Sequence, residues 1–100
     1  MRLTPTQVEQ IKQAAEQTFG PDARVWLFGS RVDDEKRGGD VDLYVELPMI
    51  DTEKRRRLES RFWIRLQRTL GERRIDIVTH LQGTPMRPID QQARNTGVQL

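Results

Sequence analysis

The sequence GGDVDLYVEL, at positions 38–47, constrains this chain most, because it combines a strand pattern with two carboxylates. Apolar and polar residues alternate from Val41 to Leu47, and a period of two predicts a β-strand with one buried face. Asp40 and Asp42 project together from the other face of that strand. An ionised carboxylate is costly to bury unless a cation or hydrogen-bond donors compensate its charge. The stretch therefore predicts a metal site.

Hydrophobic periodicity predicts two helices and two further strands around this one. Thr4, Pro5 and Gln7 supply the hydroxyl cap, the first-turn proline and the glutamine that begin a helix, and Gly71 is typical of a helix end. In chain order we expect a helix from Pro5 to Phe19, a strand from Arg24 to Phe28, the strand from Asp40 to Leu47, a helix from Asp51 or Thr52 to Leu70, and a strand from Arg74 to Thr79. This order predicts an α/β fold.

The second helix has an apolar stripe at helical spacing, formed by Leu58, Phe62, Leu66 and Leu70. We expect Trp63 and Ile64 to widen that stripe. We interpret His80, just after the third strand, as a surface or end-of-strand residue, and not as a metal ligand. Residues 31–39 are expected to form a loop or a short helical turn, and the tail from 83 to 100 at most a short helix around Ile89.

Composition limits the remaining choices. A chain of 100 residues with 35% hydrophobic content is expected to form a single domain, residues 1–100. The absence of cysteine excludes disulfides and thiolate metal ligands, so that any metal needs oxygen ligands or the lone His80. Neither a membrane-spanning apolar run nor a signal peptide is visible, which predicts a cytoplasmic protein without membrane contact.

Charge is unevenly distributed although the formal net charge is only +2. Between Lys54 and Arg74 the chain is rich in arginine, and this segment is either a surface for polyanions or a solvated helix face. Three glutamates are interspersed and can pair with the arginines locally: Glu53, Glu59 and Glu72. We therefore give equal weight to a surface for polyanions and to a solvated helix face.

A third carboxylate, Asp76, lies between Ile75 and Ile77 in the last predicted strand. If this strand lies beside the strand of Asp40 and Asp42, the three carboxylates converge. Without a cation they would repel one another and their pKa values would rise. Magnesium prefers oxygen ligands and removes this conflict, so we expect it to be held by Asp40, Asp42 and Asp76.

Gly29-Ser30-Arg31 follows the first strand and is suited to binding phosphate. A glycine lets the backbone approach a ligand closely, while the serine hydroxyl, the following amides and the arginine can bind phosphate oxygens. On its own Gly-Ser is more simply a turn. Together with three carboxylates on the other strands it predicts a phosphate-binding loop made by Gly29, Ser30 and Arg31.

These motifs resemble the signature of the nucleotidyltransferase superfamily that includes DNA polymerase β, in which Gly-Ser precedes Asp-x-Asp on a strand. The segment FGSRVDDEKRGGDVDLYVEL carries both motifs, RRIDIVTH carries the third carboxylate, and the tail PIDQQARNTGVQL is also similar to that of the minimal nucleotidyltransferases (MNT proteins). The resemblance implies a polymerase β-like fold, a small mixed β-sheet flanked by helices. The chain departs from the MNT pattern at Val32-Asp33-Asp34, where small and basic residues are usual.

The resemblance also implies a function. MNT proteins transfer a nucleotidyl group, typically AMP from ATP, to a hydroxyl, and often act as antitoxins of HEPN proteins. For this chain it implies two Mg²⁺ ions, ATP as substrate, catalytic residues Asp40, Asp42 and Asp76, and a HEPN toxin as partner in a possible homo- or hetero-oligomer. On the same face as the carboxylates, Tyr44 is expected to pack beside the nucleotide. The alternatives are an antitoxin that acts by binding alone, favoured by Asp33-Asp34, or a small-molecule nucleotidyltransferase of the aminoglycoside type.

Overall fold

The computed structural model describes residues 3–29 and 41–100, and within them it contains three helices and four strands. In chain order they are α1 (Pro5–Phe19), β1 (Arg24–Phe28), β2 (Val41–Leu47), α2 (Thr52–Leu70), β3 (Ile75–Leu81), α3 (Pro88–Thr96) and β4 (Val98–Gln99). The five elements expected from the sequence are confirmed, with Asp51 as the cap of α2. The expected loop at 31–39 and the position of Asp40 lie outside the described residues.

The strands form one mixed sheet in the order β3-β2-β1-β4. β1 pairs antiparallel with β2 and with β4, whereas β2 and β3 run parallel because α2 carries the chain back between them. The expectation of a small mixed sheet flanked by helices is therefore confirmed. The expected adjacency of the two carboxylate-bearing strands is confirmed as well.

One face of the sheet packs against α1 and α2 and holds the main core. Its fully buried members come from both helices and from the alternate residues of β2: Ile11, Val41, Leu43, Val45, Phe62 and Leu66. The expectation that Trp63 and Ile64 widen the apolar stripe of α2 is wrong, because these side chains are 44% and 45% exposed. Each residue advances about 100° around a helix, so Trp63 and Ile64 turn progressively away from the buried Phe62.

The other face of the sheet is covered by α3, which forms a second core. Ala93 of α3 packs on Trp26, Phe28 and Tyr44, and the Trp26 and Tyr44 rings meet edge to face at 5.4 Å. Tyr44 is fully buried, so the expectation that it packs beside a nucleotide is wrong. The short helix expected in the tail is confirmed as α3, and β4 is a strand that the sequence pattern does not predict.

The outer edge of β3 is held by arginines from both helix layers. Arg55 of α2 donates from Nη2 to the Thr79 carbonyl oxygen at 2.6 Å, and Arg87, just before α3, donates to the same oxygen at 2.8 Å. The Thr79 hydroxyl accepts from Arg55 Nε at 2.7 Å and donates to the Glu59 carboxylate. A single residue of the edge strand therefore connects the two layers.

Asp90, in the first turn of α3, has a fully buried carboxylate. It accepts hydrogen bonds from the Arg87 backbone N–H at 2.8 Å and from the Arg87 guanidinium at 2.8 and 2.9 Å. Burial alone would raise the pKa of Asp90, but these hydrogen bonds outweigh burial and hold the pKa below its usual value. The pair anchors the helix that forms the second core.

Replacing Asp90 with Asn should make the free energy of unfolding less dependent on pH in the acid range. Because its folded-state pKa is lowered, Asp90 stabilises the fold above its unfolded pKa of about 4, and this contribution is lost as pH falls through the lower folded value. Urea unfolding at pH 7 should show a loss of about 1.5–3 kcal/mol in Asp90→Asn. Below about pH 4 the variant should lose stability less steeply than the wild type. The exposed Asp22→Asn is the control, and parallel profiles for Asp90→Asn and the wild type would contradict this role.

Candidate active site

Two carboxylates stand side by side on neighbouring strands. Asp42 of β2 is the register partner of Asp76 of β3, and register partners in a parallel pair project from the same face of the sheet. Neighbouring strands are about 4.8 Å apart, so both carboxylates lie within reach of one cation. This face is the one on which α3 packs, further along the strands. The convergence expected for Asp42 and Asp76 follows directly from this register.

Gly29 completes the arrangement from the β1 side. Phe28 is the register partner of Asp42, which brings the next residue, Gly29, against the Asp42 side chain. A Cβ atom at position 29 would lie 2.5 Å from Asp42 Oδ2 and 3.0 Å from its Cγ. The φ angle of +78° at Gly29 also favours glycine. Both the conformation and the space at this turn therefore require glycine.

The two carboxylates differ in their environments. Asp42 is partly buried between β1 and β3, whereas the Asp76 side chain is 54% exposed. Arg74 lies beside Asp76, with Nε 3.4 Å from Oδ2, but its side chain is 73% exposed and such pairs contribute little in water. Asp76 thus remains accessible from outside the domain.

The donor set fits a hard divalent cation. Carboxylate oxygens on adjacent strands are the ligands that Mg²⁺ prefers, and the bare Cα of Gly29 leaves room beside Asp42 for the backbone to approach a ligand. Within residues 3–29 and 41–100, no three His, Asp or Glu side chains form a metal-binding group. The third expected ligand, Asp40, lies outside the described residues, as do Ser30 and Arg31. The three-carboxylate site stays a prediction.

The far end of the same sheet face holds a charged cluster that sequence reasoning missed. Glu46 accepts a hydrogen bond from Arg94 at 2.8 Å, and its carboxylate lies 3.6 Å from His80 Nδ1. The Arg94 guanidinium also lies 4.6 Å from the centre of the Trp26 ring. Of the two positions expected for His80, the end of the strand is confirmed and the surface is wrong: it is the last but one residue of β3 and is 4% exposed, because the turn around Thr84 and α3 cover it. Alternation along β2 indicated the face of Glu46, but nothing in the sequence indicated its partners.

The sequence model of the nucleotidyltransferase domain family matches residues 8–95. The chain belongs to this family. The match includes Gly29, Asp42 and Asp76, and nucleotidyltransferase domains generally use a nucleoside triphosphate and a divalent metal ion. No curated protein matches the chain. In the part of the chain that the structure describes, no helix has the length and apolar character needed to cross a bilayer.

Asp42→Asn in this nucleotidyltransferase domain should weaken divalent metal binding. Removing one anionic ligand is expected to raise the dissociation constant for Mn²⁺ at least about tenfold, measured by calorimetric or paramagnetic titration. Glu46→Gln is the matched control, since it neutralises a carboxylate on the same strand face, four residues away. Equal affinity in Asp42→Asn and the wild type would exclude Asp42 as a ligand.

Gly29→Ala and Gly71→Ala separate backbone strain from crowding at the site. The φ angles at the two glycines are +78° and +87°, so both substitutions should cost about 1–2 kcal/mol of stability. A Cβ at position 71 meets no atom within 4 Å, whereas one at position 29 displaces the Asp42 carboxylate. We therefore expect weaker Mn²⁺ binding in Gly29→Ala alone. If both variants bind Mn²⁺ like the wild type, Gly29 does not shape the site.

Proposed function

We propose that this protein is a magnesium-dependent nucleotidyltransferase that transfers AMP from ATP to a hydroxyl of a partner HEPN toxin, and thereby acts as its antitoxin. The observation that carries the proposal is the register of Asp42 beside Asp76, with Gly29 against Asp42. Membership of the nucleotidyltransferase domain family supports nucleotidyl transfer as the reaction. The resemblance to MNT proteins supports the toxin, and a tyrosine hydroxyl on it, as the acceptor.

The carboxylates have distinct roles in this proposal. Asp40 and Asp42 would hold the metal ion that neutralises the triphosphate, while Asp76 would lie with Asp42 beside the incoming hydroxyl. Bound magnesium, as one or two ions, supplies charge neutralisation of the triphosphate and a lower pKa for the acceptor hydroxyl. Gly29, Ser30 and Arg31 bind the β- and γ-phosphates through the backbone, the hydroxyl and the guanidinium.

The reaction is an in-line displacement at the α-phosphorus of ATP. The acceptor oxygen forms a bond to this phosphorus as the bond to the bridging oxygen of the β-phosphate breaks, and pyrophosphate leaves. The acceptor proton passes to the Asp76 carboxylate and then to water. Asp76 suits this role because more than half of its side chain is exposed to solvent.

The position of Asp76 also supports an acceptor on a separate macromolecule. Asp76 lies on β3, at the edge of the described sheet, and is more exposed than Asp42. An acceptor side chain carried by another protein can approach this edge without a deep pocket in the domain, because its own chain supplies the remaining surface. A small acceptor would need the domain itself to form that enclosure.

Asp76→Ala should separate nucleotide binding from transfer. The variant should retain ATP affinity within about threefold but lose at least about a hundredfold in transfer rate, because its interaction is made with the reacting hydroxyl. The assay uses ATP labelled at the α-phosphate, Mg²⁺ and a purified HEPN protein as the acceptor, with mass spectrometry of the modified residue. Glu72→Ala, an exposed carboxylate just before β3, is the control.

Transfer at the wild-type rate by Asp76→Ala would remove Asp76 from the mechanism. If the wild type neutralises the toxin without labelling it, the protein acts by binding alone. Labelling of an aminoglycoside in place of the protein would show a small-molecule nucleotidyltransferase.

A further inference from the structure

The outward side of α2 carries a continuous stripe of positive charge. Its five residues follow one another at intervals of 3, 4, 4 and 3: Lys54, Arg57, Arg61, Arg65 and Arg68. Residues at these intervals share one side of a helix, and the stripe is about 21 Å long at 1.5 Å per residue. It lies across the sheet from Asp42 and Asp76, because α2 packs on the opposite face.

A groove between α1 and α2 runs beside this stripe and encloses about 250 Å³. Its walls combine two guanidinium groups, three carboxamides and a hydroxyl around one small residue: Arg65, Arg68, Gln10, Gln13, Gln17, Thr69 and Ala14. No carboxylate is among these lining residues. Gln10, Gln13 and Gln17 are spaced at 3 and 4, so the α1 wall is also a helical stripe. Both walls of the groove, one from α1 and one from α2, thus carry hydrogen-bond donors.

Arg65 is held in place at the groove with part of its hydrogen-bonding capacity unused. Its Nη1 donates to Gln17 Oε1 at 2.9 Å, which fixes the guanidinium between the two helices. Its Nε is buried and, among the described residues, has no acceptor. A buried donor without a partner is unfavourable, and a carboxylate can accept from Nε and Nη2 together. The group is therefore suited to an anionic ligand.

The other cations of the stripe also point outward without internal partners. Lys54, Arg57, Arg61 and Arg68 are exposed, and within residues 3–29 and 41–100 none of them forms an ion pair. By contrast, Arg55 on the inner side of the same helix pairs with Glu59 at 3.7 Å. The interspersed glutamates therefore leave the stripe uncompensated.

An apolar residue beside the stripe, without an aromatic one, favours a protein over a nucleic acid. Ile64 is 45% exposed and adjoins Arg57, Arg61 and Arg68 at helical spacing, where it offers an apolar contact amid the charges. Trp63 could stack on a base, but it lies about 160° around the helix from Arg61, away from the cations. Nucleic-acid surfaces of this kind interleave aromatic rings with the basic residues.

We propose that the basic stripe and the α1–α2 groove form a docking surface for an acidic amphipathic helix of a partner protein. Carboxylates of that helix, repeated at intervals of three and four, pair with the stripe. An apolar residue beside them contacts Ile64, and the small Ala14 allows close approach. The proposal depends on α1 and α2 alone, and not on the chemistry of the carboxylate site.

A synthetic helix tests the surface directly. The probe is a fluorescein-labelled 21-residue peptide with Glu at intervals of 3, 4, 4 and 3 and Leu at the flanking positions, and binding is followed by anisotropy. An isomer of identical composition with its Glu residues distributed around the helix should bind at least about tenfold more weakly. The double variant Arg61→Glu/Arg68→Glu should lose at least about thirtyfold in affinity for the probe. Ile64→Ser should lose affinity for the peptide, because it removes the apolar contact.

The matched control is Lys12→Glu/Arg56→Glu, which makes the same change in net charge on α1 and on another side of α2. It should bind the probe within about threefold of the wild type. Equal losses in the two double variants would show an effect of net charge alone and would overturn the proposal. So would equal binding of the two peptide isomers. Tighter binding of a labelled 20-nucleotide RNA, in competition with the peptide, would assign the stripe to nucleic acid instead. A far-UV circular dichroism spectrum like that of the wild type confirms that each variant is folded.

Discussion

The register of β2 between its two neighbours is the constraint on which the rest of the molecule depends. Phe28, Asp42 and Asp76 form one row across three strands, and this row brings the turn at Gly29 and both carboxylates to the same point. A shift of one residue would turn Asp42 into the core that α1 and α2 cover and would expose Leu43. The same apolar alternation that stabilises the fold therefore also fixes the position of the chemistry.

The two faces of the sheet are packed against different helices. α1 and α2 cover the face with the larger apolar core, and in the part of the chain that the structure describes α3 is the helix that packs on the carboxylate face. Ala93 of α3 packs on Trp26, Phe28 and Tyr44, whereas the Asp76 side chain on β3 is 54% exposed. The carboxylate face is therefore accessible at Asp76.

Sequence periodicity predicted the parts of the fold that depend on local pattern. The cap at Thr4, the alternation in β2 and the stripe at Phe62 and Leu66 each follow from a regular spacing, and each is present. The placement of Asp42 beside Asp76 followed from strand adjacency. What could not be predicted was burial that depends on distant contacts.

The tail illustrates that limit. Its sequence is polar, and it is ordered by the hydrogen bonds from Arg87 to the buried Asp90 and by a short pairing of Val98 with Leu27. The burial of Tyr44 and His80 depends on α3 and on the turn around Thr84, which pack over the sheet. The local pattern of β2 and β3 does not indicate these contacts. The exposure of Trp63 and Ile64 has a different cause. Both are apolar, but they lie on a side of α2 that faces solvent, and apolar character alone does not distinguish that side from the buried one.

The two guanidiniums on the Thr79 carbonyl have a consequence for how the domain can associate. An edge strand with vacant carbonyl groups is a template for another strand, and chains with such edges can add β-strands from a neighbour and polymerise. At the centre of β3 that acceptor is already engaged by Arg55 and Arg87, one from each side of the sheet. A strand arriving at this edge would have to displace two charged side chains anchored in separate helical layers. Pairing of a further strand with β3 is thereby hindered at Thr79.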